Sequence, residues 1–384
     1  MITLSKDIGR NFCYAPWTNL HINPQGDYKL CCAGKVAIDD LRKSSINDAL
    51  NNSKIIAIKQ AVFSNQYHAN CQTCVTQEKH SDFSERDWYN DIAQNDAINL
   101  NSIQDSYLQN LDIRWSNTCN LSCSYCGPDA SSQWSALKNM KPERIDYSST
   151  MSDILTFIDK NKSTLKNLAL LGGEPLLQKE NELLLDVIDA DVNINLITNL
   201  SVPLENNRIV KKLLEKNKVI WDVSFETVEE KFEYVRHGSS WELITQNIRY
   251  IQNAIKNRPG HLIGITGQYS VYNALDLSQI NRYFVENNYP QPRWNELTYP
   301  HILAVASLPK RFIERSVQEL QDSLQYILWP RQKKFLQDLA INLGNISNSA
   351  DDCAGLLAWH ENQENTYWPD FKYRFRDLWP EYTA

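Results

Sequence analysis

The sequence predicts an α/β protein: a partial (β/α)6 TIM-type barrel with a cysteine-rich region before it and a mostly helical region after it. Three observations lead there. From about residue 110, short apolar strand patterns alternate with helical patterns, as in parallel β/α units. These units number six, too few for a closed eight-stranded barrel. Five of the nine cysteines fall before residue 75, ahead of the first unit. The expected division is 1–105 cysteine-rich, 106–300 barrel and 301–384 helical.

Within the first region HINPQGDYKLCC reads as a hairpin with Gly26 and Asp27 at its turn. SINDALNNSKIIAIKQAVF has helical spacing, with Ser45 as its N-cap. The barrel strands are expected at DIRWSN, NLALLGG, INLITNL, VIWDVSFET, LIGITGQYSVY and PRWNELTY. The intervening helices are expected at SDILTFIDKN, KENELLLDVID, NNRIVKKLLEKN and SWELITQNIRYIQNAIKN. RFIERSVQELQDSLQYIL is the clearest helix of the tail, which ends in the aromatic segment TYWPDFKYRFRDLWPEY.

A chain of 384 residues with 42% hydrophobic and 22% charged residues is globular in composition and long enough for two or three domains. No apolar run approaches the ~20 residues that cross a bilayer, and MITLSKDIGRNFCYAPW lacks a signal pattern. The expected location is cytoplasmic. A net charge of -7 with mixed signs and no basic block argues against a nucleic-acid partner. In a reducing compartment the thiols at 13, 31, 32, 71, 74, 119, 123, 126 and 353 point to metal or catalysis rather than to disulfides.

CNLSCSYC, residues 119–126, puts three thiols on the loop after the first barrel strand, where such folds place their chemistry. A four-iron cluster normally takes four thiolates, one per iron. Three thiolates leave one iron with an open position, and an open position is what a catalytic metal site needs. The spacing C-x3-C-x2-C differs from the paired C-x2-C of zinc knuckles.

C-x3-C-x-aromatic-C after the first strand resembles the signature of the radical SAM enzymes. The resemblance implies a partial barrel whose [4Fe-4S] cluster, held by Cys119, Cys123 and Cys126, binds S-adenosylmethionine at its open iron. It implies reductive cleavage to a 5'-deoxyadenosyl radical that removes hydrogen from a substrate, with electrons from a flavodoxin- or ferredoxin-type donor. LLGGEPLL resembles the family's GGEP motif, here Gly172, Gly173, Glu174 and Pro175, which would meet the methionyl amine. Thr198 and Asn199 match the Thr-Asn position of the third strand. Ser224 and Glu226 stand where relatives contact the ribose, and Arg236 where one can pair with the methionyl carboxylate. Asn273 follows the fifth strand, and Tyr125 would pack on the cluster or the adenine.

Cys13, twelve residues, Gly26, four residues and Cys31, followed by Cys71-Gln-Thr-Cys74, resemble the opening of the SPASM/Twitch pattern of auxiliary iron-sulfur domains. Here the pattern precedes the barrel rather than following it. Its later C-x5-C-x3-C stretch is absent, which argues against a second auxiliary cluster. Cys13, Cys31, Cys71 and Cys74 would fully ligate one [4Fe-4S] cluster, with Cys32 as an alternative to Cys31. C-x2-C with two distant cysteines also suits a structural zinc.

Such architecture implies a ribosomally made peptide or protein as substrate, with a cross-link, epimerisation, thioether or backbone excision as outcome. With no leader-binding segment ahead of the cysteine-rich region, a separate recognition protein would deliver it. A radical enzyme acting on a small molecule is the alternative, and a non-catalytic iron-sulfur or zinc module a third reading. Cys353 is a candidate hydrogen donor, or a small buried hydrophobe. Trp359, Trp368 and Trp379 would line a peptide groove or pack on the barrel.

Overall fold

A computed structural model of the chain describes residues 9–79, 84–95, 98, 100, 102–141, 147, 149–346, 354–366 and 375. They divide into two compact units. The first holds residues up to 118, 142–196 and 205–219; the second holds 119–141, 197–204 and those from 220 onward.

The first unit opens with the expected hairpin, β1 (Asn19–Ile22) and β2 (Asp27–Lys29), antiparallel, with a short β3 (Asp39–Asp40) beyond β2. β1 also pairs in parallel with β4 (Asn110–Ile113), His21 against Asp112, so the cysteine-rich region extends the sheet. β4 is followed by β5 (Asn167–Leu170) and β6 (Asn193–Thr198), each parallel to its predecessor. The strand order in this unit is β3-β2-β1-β4-β5-β6. Leu20, Ile22, Leu111, Ile113, Leu168, Leu170, Ile194 and Leu196 are all buried. Alternate residues of parallel strands point to the same face, so these side chains form one layer of core. Helices Met151–Asn161, Glu180–Val187 and Arg208–Glu215 contribute Ile154, Ile158, Leu184, Leu185 and Leu213 to the buried set.

The single helix expected over residues 45–63 is two. Ser45 caps Ile46–Leu50 through the Asp48 N–H, as expected, but Asn52 then caps a new helix, Ser53–Phe63, through the Lys54 N–H. An Asn side chain offers its neighbours' N–H groups a partner outside the helix, which favours a restart at Asn51-Asn52.

The second unit carries β7 (Val219–Ser224), β8 (His261–Tyr269) and β9 (Pro292–Glu296), in that order, with β8 and β9 parallel. All six expected barrel strands therefore form, and helices alternate with them: Trp241–Ile255 precedes β8 and Leu277–Glu286 precedes β9. Phe225, just past β7, packs on Phe232, Trp241 and Phe284 with ring centroids 4.9–5.4 Å apart. The tail is helical as expected, with Lys310–Ser323, Pro330–Gly344 and Ala354–Thr366. Phe375 is buried with its ring 5.5 Å from Tyr234 and 5.6 Å from Tyr272, so that part of the aromatic segment is core. Trp368 and Trp379 lie outside the described residues. No helix among the described residues is long and apolar enough to cross a membrane.

His360 docks the last described helix. Its Nδ1 lies 2.8 Å from the Leu356 carbonyl and its Nε2 3.2 Å from the Tyr272 hydroxyl. Burial disfavours the imidazolium and pushes the pKa down to about 3. A base whose folded pKa is depressed stabilises the fold above its unfolded pKa and loses that contribution as pH falls, because the unfolded chain then takes up the proton. Between about pH 6.5 and 3, wild type should lose up to about 1.4 kcal/mol per pH unit more than a His360→Gln variant. Urea midpoints measured at pH 7, 6, 5 and 4 check this.

Candidate iron-sulfur sites

Residues 119–126 form neither helix nor strand, so their backbone groups need partners from elsewhere. In the second unit the Ser122 N–H donates to the His237 carbonyl at 2.9 Å and the Ser124 N–H to Val235 at 2.8 Å. Ser131, the N-cap of helix Ser132–Leu137, donates its hydroxyl to the Leu121 carbonyl at 2.5 Å. The Trp134 indole N–H donates to the Cys123 carbonyl at 2.8 Å, and the Cys119 N–H donates to Ser132 Oγ at 3.1 Å. Asn120 reaches the Ser201 carbonyl at 2.8 Å. The loop is thus fixed from several sides, with Cys123 buried and Cys119 and Cys126 half-buried. A hydrogen bond from Cys126 and burial both push the Cys123 thiol up.

The polar strand ends converge on this loop. Arg236 lays Nε and Nη2 on the two carboxylate oxygens of Glu226 at 2.7 and 2.8 Å, a bidentate pair. The same Nη2 donates to Tyr125 Oη at 2.6 Å, and Tyr125 donates to Glu226 Oε1 at 2.8 Å. Arg236 Nη1 lies 3.8 Å from Cys123 Sγ. Asn199 donates Nδ2 to Asn120 Oδ1 at 3.0 Å, has it 3.8 Å from Cys119 Sγ, and accepts the Ser201 N–H on Oδ1 at 2.8 Å. Thr198 accepts the Leu200 N–H at 2.8 Å. Asn273 gives Nδ2 to the Glu226 and Gln268 carbonyls, both at 2.9 Å, and accepts the Ser270 N–H, so it stitches the ends of β7 and β8 together. Ser224 closes β7, half-buried.

In the first unit the Gly172–Pro175 turn is shaped by contacts that exclude side chains. Both glycines have positive φ, +87° and +51°. A Cβ on Gly172 would stand 2.6 Å from the Cβ of Arg114, and one on Gly173 2.2 Å from the Thr118 carbonyl oxygen. Only glycine accepts both the backbone conformation and the approach. The Glu174 N–H donates to that Thr118 carbonyl at 2.8 Å, while its buried carboxylate accepts the Leu176 N–H at 3.1 Å. Gln178 holds the Gly172 carbonyl, and Asn181 links the Pro175 carbonyl to the Trp115 indole at 2.9 and 2.8 Å.

The first unit also gathers the early thiols. Cys13 and Cys74 are buried, Cys31 and Cys71 half-buried. Burial raises the Cys13 and Cys31 thiols, and each is raised further by the thiols of Cys71 and Cys74. Cys31 therefore faces the other three. Cys32 faces elsewhere: it is exposed, hydrogen-bonded to Glu85 and near Asp112 and Arg114. The adjacent cysteines have different surroundings.

Arg86 supplies a fit test for a bound group. It is buried, its Nη1 donates to the Arg10 carbonyl, and its Nε lies 3.4 Å from Glu78. Its charge is felt by Cys13, Cys71 and Cys74, yet its Nη2 is buried with no hydrogen-bond partner among the described residues. A buried unpaired guanidinium N–H is costly. A cluster with its thiolates and sulfides carries negative charge and accepts such donors, so the residues fit it. No three His, Cys, Asp or Glu of the described residues converge to hold a single metal ion. A cubane, which takes one thiolate per iron, spreads its ligands.

Fold and thiols together define a protein of the α/β class with two groups of cysteines, three on the loop at 119–126 and four from the early region. The Radical SAM superfamily model matches residues 113–271, and the SPASM iron-sulfur cluster-binding domain model matches 13–75. Residues 113–271 are thus a radical SAM domain and residues 13–75, ahead of them, a SPASM domain; these domains bring S-adenosylmethionine and iron-sulfur clusters as cofactors. Over 143 residues it is 28% identical to 7-carboxy-7-deazaguanine synthase of Clostridium acetobutylicum, covering 36% of this chain and 58% of that protein. Among solved structures it is similar to anSMEcpe with bound AdoMet, at 18% identity and a TM-score of 0.42, covering 56% of this chain and 60% of that one. It is also similar to Streptococcus suis SuiB bound to S-adenosylmethionine, at 14% identity and a TM-score of 0.42, covering 83% and 70%.

Sequence reasoning missed the residues that fix the cysteine loop, Ser131, Ser132 and Trp134, and the buried Arg86 near the early thiols. DASSQW carried one signal, a Ser N-cap directly after the cysteine loop. Arg86 sits in a helix with no motif around it. Cys353 lies outside the described residues. Replacing Cys31 by Ala should remove about four irons from the anaerobically reconstituted protein, whereas Cys32→Ala should leave the iron count unchanged. Iron and sulfide analysis decides between them.

Proposed function

We propose that the chain uses the open iron of a cluster on Cys119, Cys123 and Cys126 to cleave S-adenosylmethionine, and that its substrate is a peptide or protein modified by radical chemistry. The observation that carries the reading is the loop at 119–126, which presents three thiols on a backbone hydrogen-bonded to residues 131, 132, 134, 235 and 237. When bound, the cluster supplies the electron that splits the sulfonium compound into methionine and a 5'-deoxyadenosyl radical, which takes a hydrogen atom from the substrate.

This chain's own residues bind and orient. In the first unit the Gly172–Pro175 turn offers close-approach backbone for a ligand, and in the second Thr198, Asn199 and Ser224 offer polar groups at strand ends. The four early thiols would fully ligate an auxiliary cluster, which favours electron transfer or a structural role. The peptide reading rests on the pairing of a radical SAM domain with a SPASM domain. A separate recognition protein and a flavodoxin- or ferredoxin-type donor complete the proposal, with a cytoplasmic setting.

A second reading has one observation in its favour, the 28% identity to an enzyme named for making a small molecule, 7-carboxy-7-deazaguanine. An anaerobic assay separates the readings. With peptides encoded beside the gene, deoxyadenosine formation should be coupled to a change in peptide mass, and a Cys119/Cys123/Cys126→Ala triple variant should produce none. Cleavage that no such peptide stimulates would favour the small molecule, and cleavage by the triple variant would overturn both.

A further inference from the structure

The triad of half-buried Tyr125 with buried Glu226 and Arg236 has a geometry that a ligand-binding role does not explain. A guanidinium waiting for a ligand's carboxylate would leave a fork of two N–H groups open. Here the fork formed by Nε and Nη2 already holds Glu226, itself only 1% exposed, and Nη2 is shared with Tyr125. The third nitrogen, Nη1, is directed at the sulfur of Cys123, 3.8 Å away. Cys119 has its own donors: the Leu121 N–H at 3.4 Å from its sulfur and the Asn199 amide at 3.8 Å. Two of the three loop cysteines thus carry N–H donors on sulfur, and Arg236 is the charged one.

We propose that Arg236, held in place by Glu226 and Tyr125, is a positioning residue for the cluster on Cys119, Cys123 and Cys126, and that its N–H donation to the Cys123 sulfur raises the cluster's reduction potential. This rests on the reading that the loop holds a cluster. Reduction adds one negative charge to the cluster and its thiolates. Donors to the sulfurs stabilise the more negative state and raise the potential. The effect is larger in a site away from water. Arginine suits the task because its planar fork can fix itself on a carboxylate and still aim a further N–H elsewhere, which a lysine ammonium does not. Glu226 orients the guanidinium; its own charge lies behind the arginine as seen from the sulfur.

The test uses the full chain, anaerobically reconstituted, as wild type, Arg236→Lys and the double variant Arg236→Gln/Glu226→Gln. The double variant leaves no buried charge unpaired, and the lysine variant keeps the charge. Iron content, S-adenosylmethionine affinity and an EPR-monitored redox titration are measured, following the signal that changes when S-adenosylmethionine is added. The expected result is unchanged iron content with the midpoint moved to more negative potential, further in the double variant than in Arg236→Lys. An unchanged midpoint in a variant that keeps its iron and its responsive signal would overturn the proposal. So would weakened S-adenosylmethionine binding at an unchanged midpoint, which would assign Arg236 to the ligand's carboxylate. Should the double variant fail to hold iron, the lysine variant decides. A wild-type protein with no responsive signal would overturn the cluster reading itself, an outcome distinct from either.

Discussion

The structure depends on how eight irregular residues are held still. A loop that presents three thiols toward one cluster is poorly served by regular structure: a helix would put residues 119, 123 and 126 on one face but spread them about 10 Å along its axis, and a strand would turn 126 to the opposite face from 119 and 123. It must therefore give up the hydrogen bonds that regular structure supplies, and unpaired backbone groups at a buried site cost about 1–3 kcal/mol each. The second unit offsets that cost from two directions. The segment 235–237 receives two of the loop's N–H groups in alternate register, as a strand neighbour would. The residues directly downstream, Ser131, Ser132 and Trp134, take up a loop N–H and donate to its carbonyls. Side chains of the loop then add what backbone cannot: Asn120 ties it to Ser201.

The same economy explains why two arginines are buried. A cluster and its thiolates form an anionic group that a protein must accommodate. Each of the two thiol sites has one arginine nearby, and each arginine is anchored on a glutamate, Glu226 for Arg236 and Glu78 for Arg86. Burying a cation costs several kcal/mol unless it is paired. The pairing with glutamate neutralises the arginine before any cluster is present, so the unloaded protein carries no lone buried charge at either site. The two differ in how the guanidinium is used. Arg236 has a bidentate pair and a donor on sulfur, whereas Arg86 has a longer contact to Glu78 and one nitrogen with no partner among the described residues.

Much of this was legible in the sequence, and what was not shares one cause. The six strands, the hairpin around Gly26 and the Ser45 cap follow from local pattern, because period, apolar run and turn residue are properties of contiguous residues. The thiol loop and the Gly172–Pro175 turn were legible for the same reason. The break at Asn51-Asn52 was missed because apolar spacing continues across it, while the side chain of Asn52 offers a competing partner. The glycine spacing favoured Cys31 over Cys32 but says nothing of their surroundings, which differ: Cys31 meets other thiols, Cys32 meets Glu85.

What spacing cannot convey is the use to which a polar side chain is put once the fold brings partners to it. Glu226 and Asn273 were read as groups offered to a ligand from their places at strand ends, and Arg236 from its place in EYVRHGSSW. In the structure Asn273 has every hydrogen-bonding group occupied by β7 and β8, and Glu226 and Arg236 hold one another. The two kinds of use look alike in sequence because both need a polar residue at the same place. They differ only in what stands within 3 Å, and that is decided by residues tens to more than a hundred positions away, such as Tyr125 for Arg236. A strand end beside a cluster is wet enough to need polar residues and close enough to the thiols for their hydrogen bonds to matter, so ordering the cluster loop and binding its ligand draw on one small set of side chains.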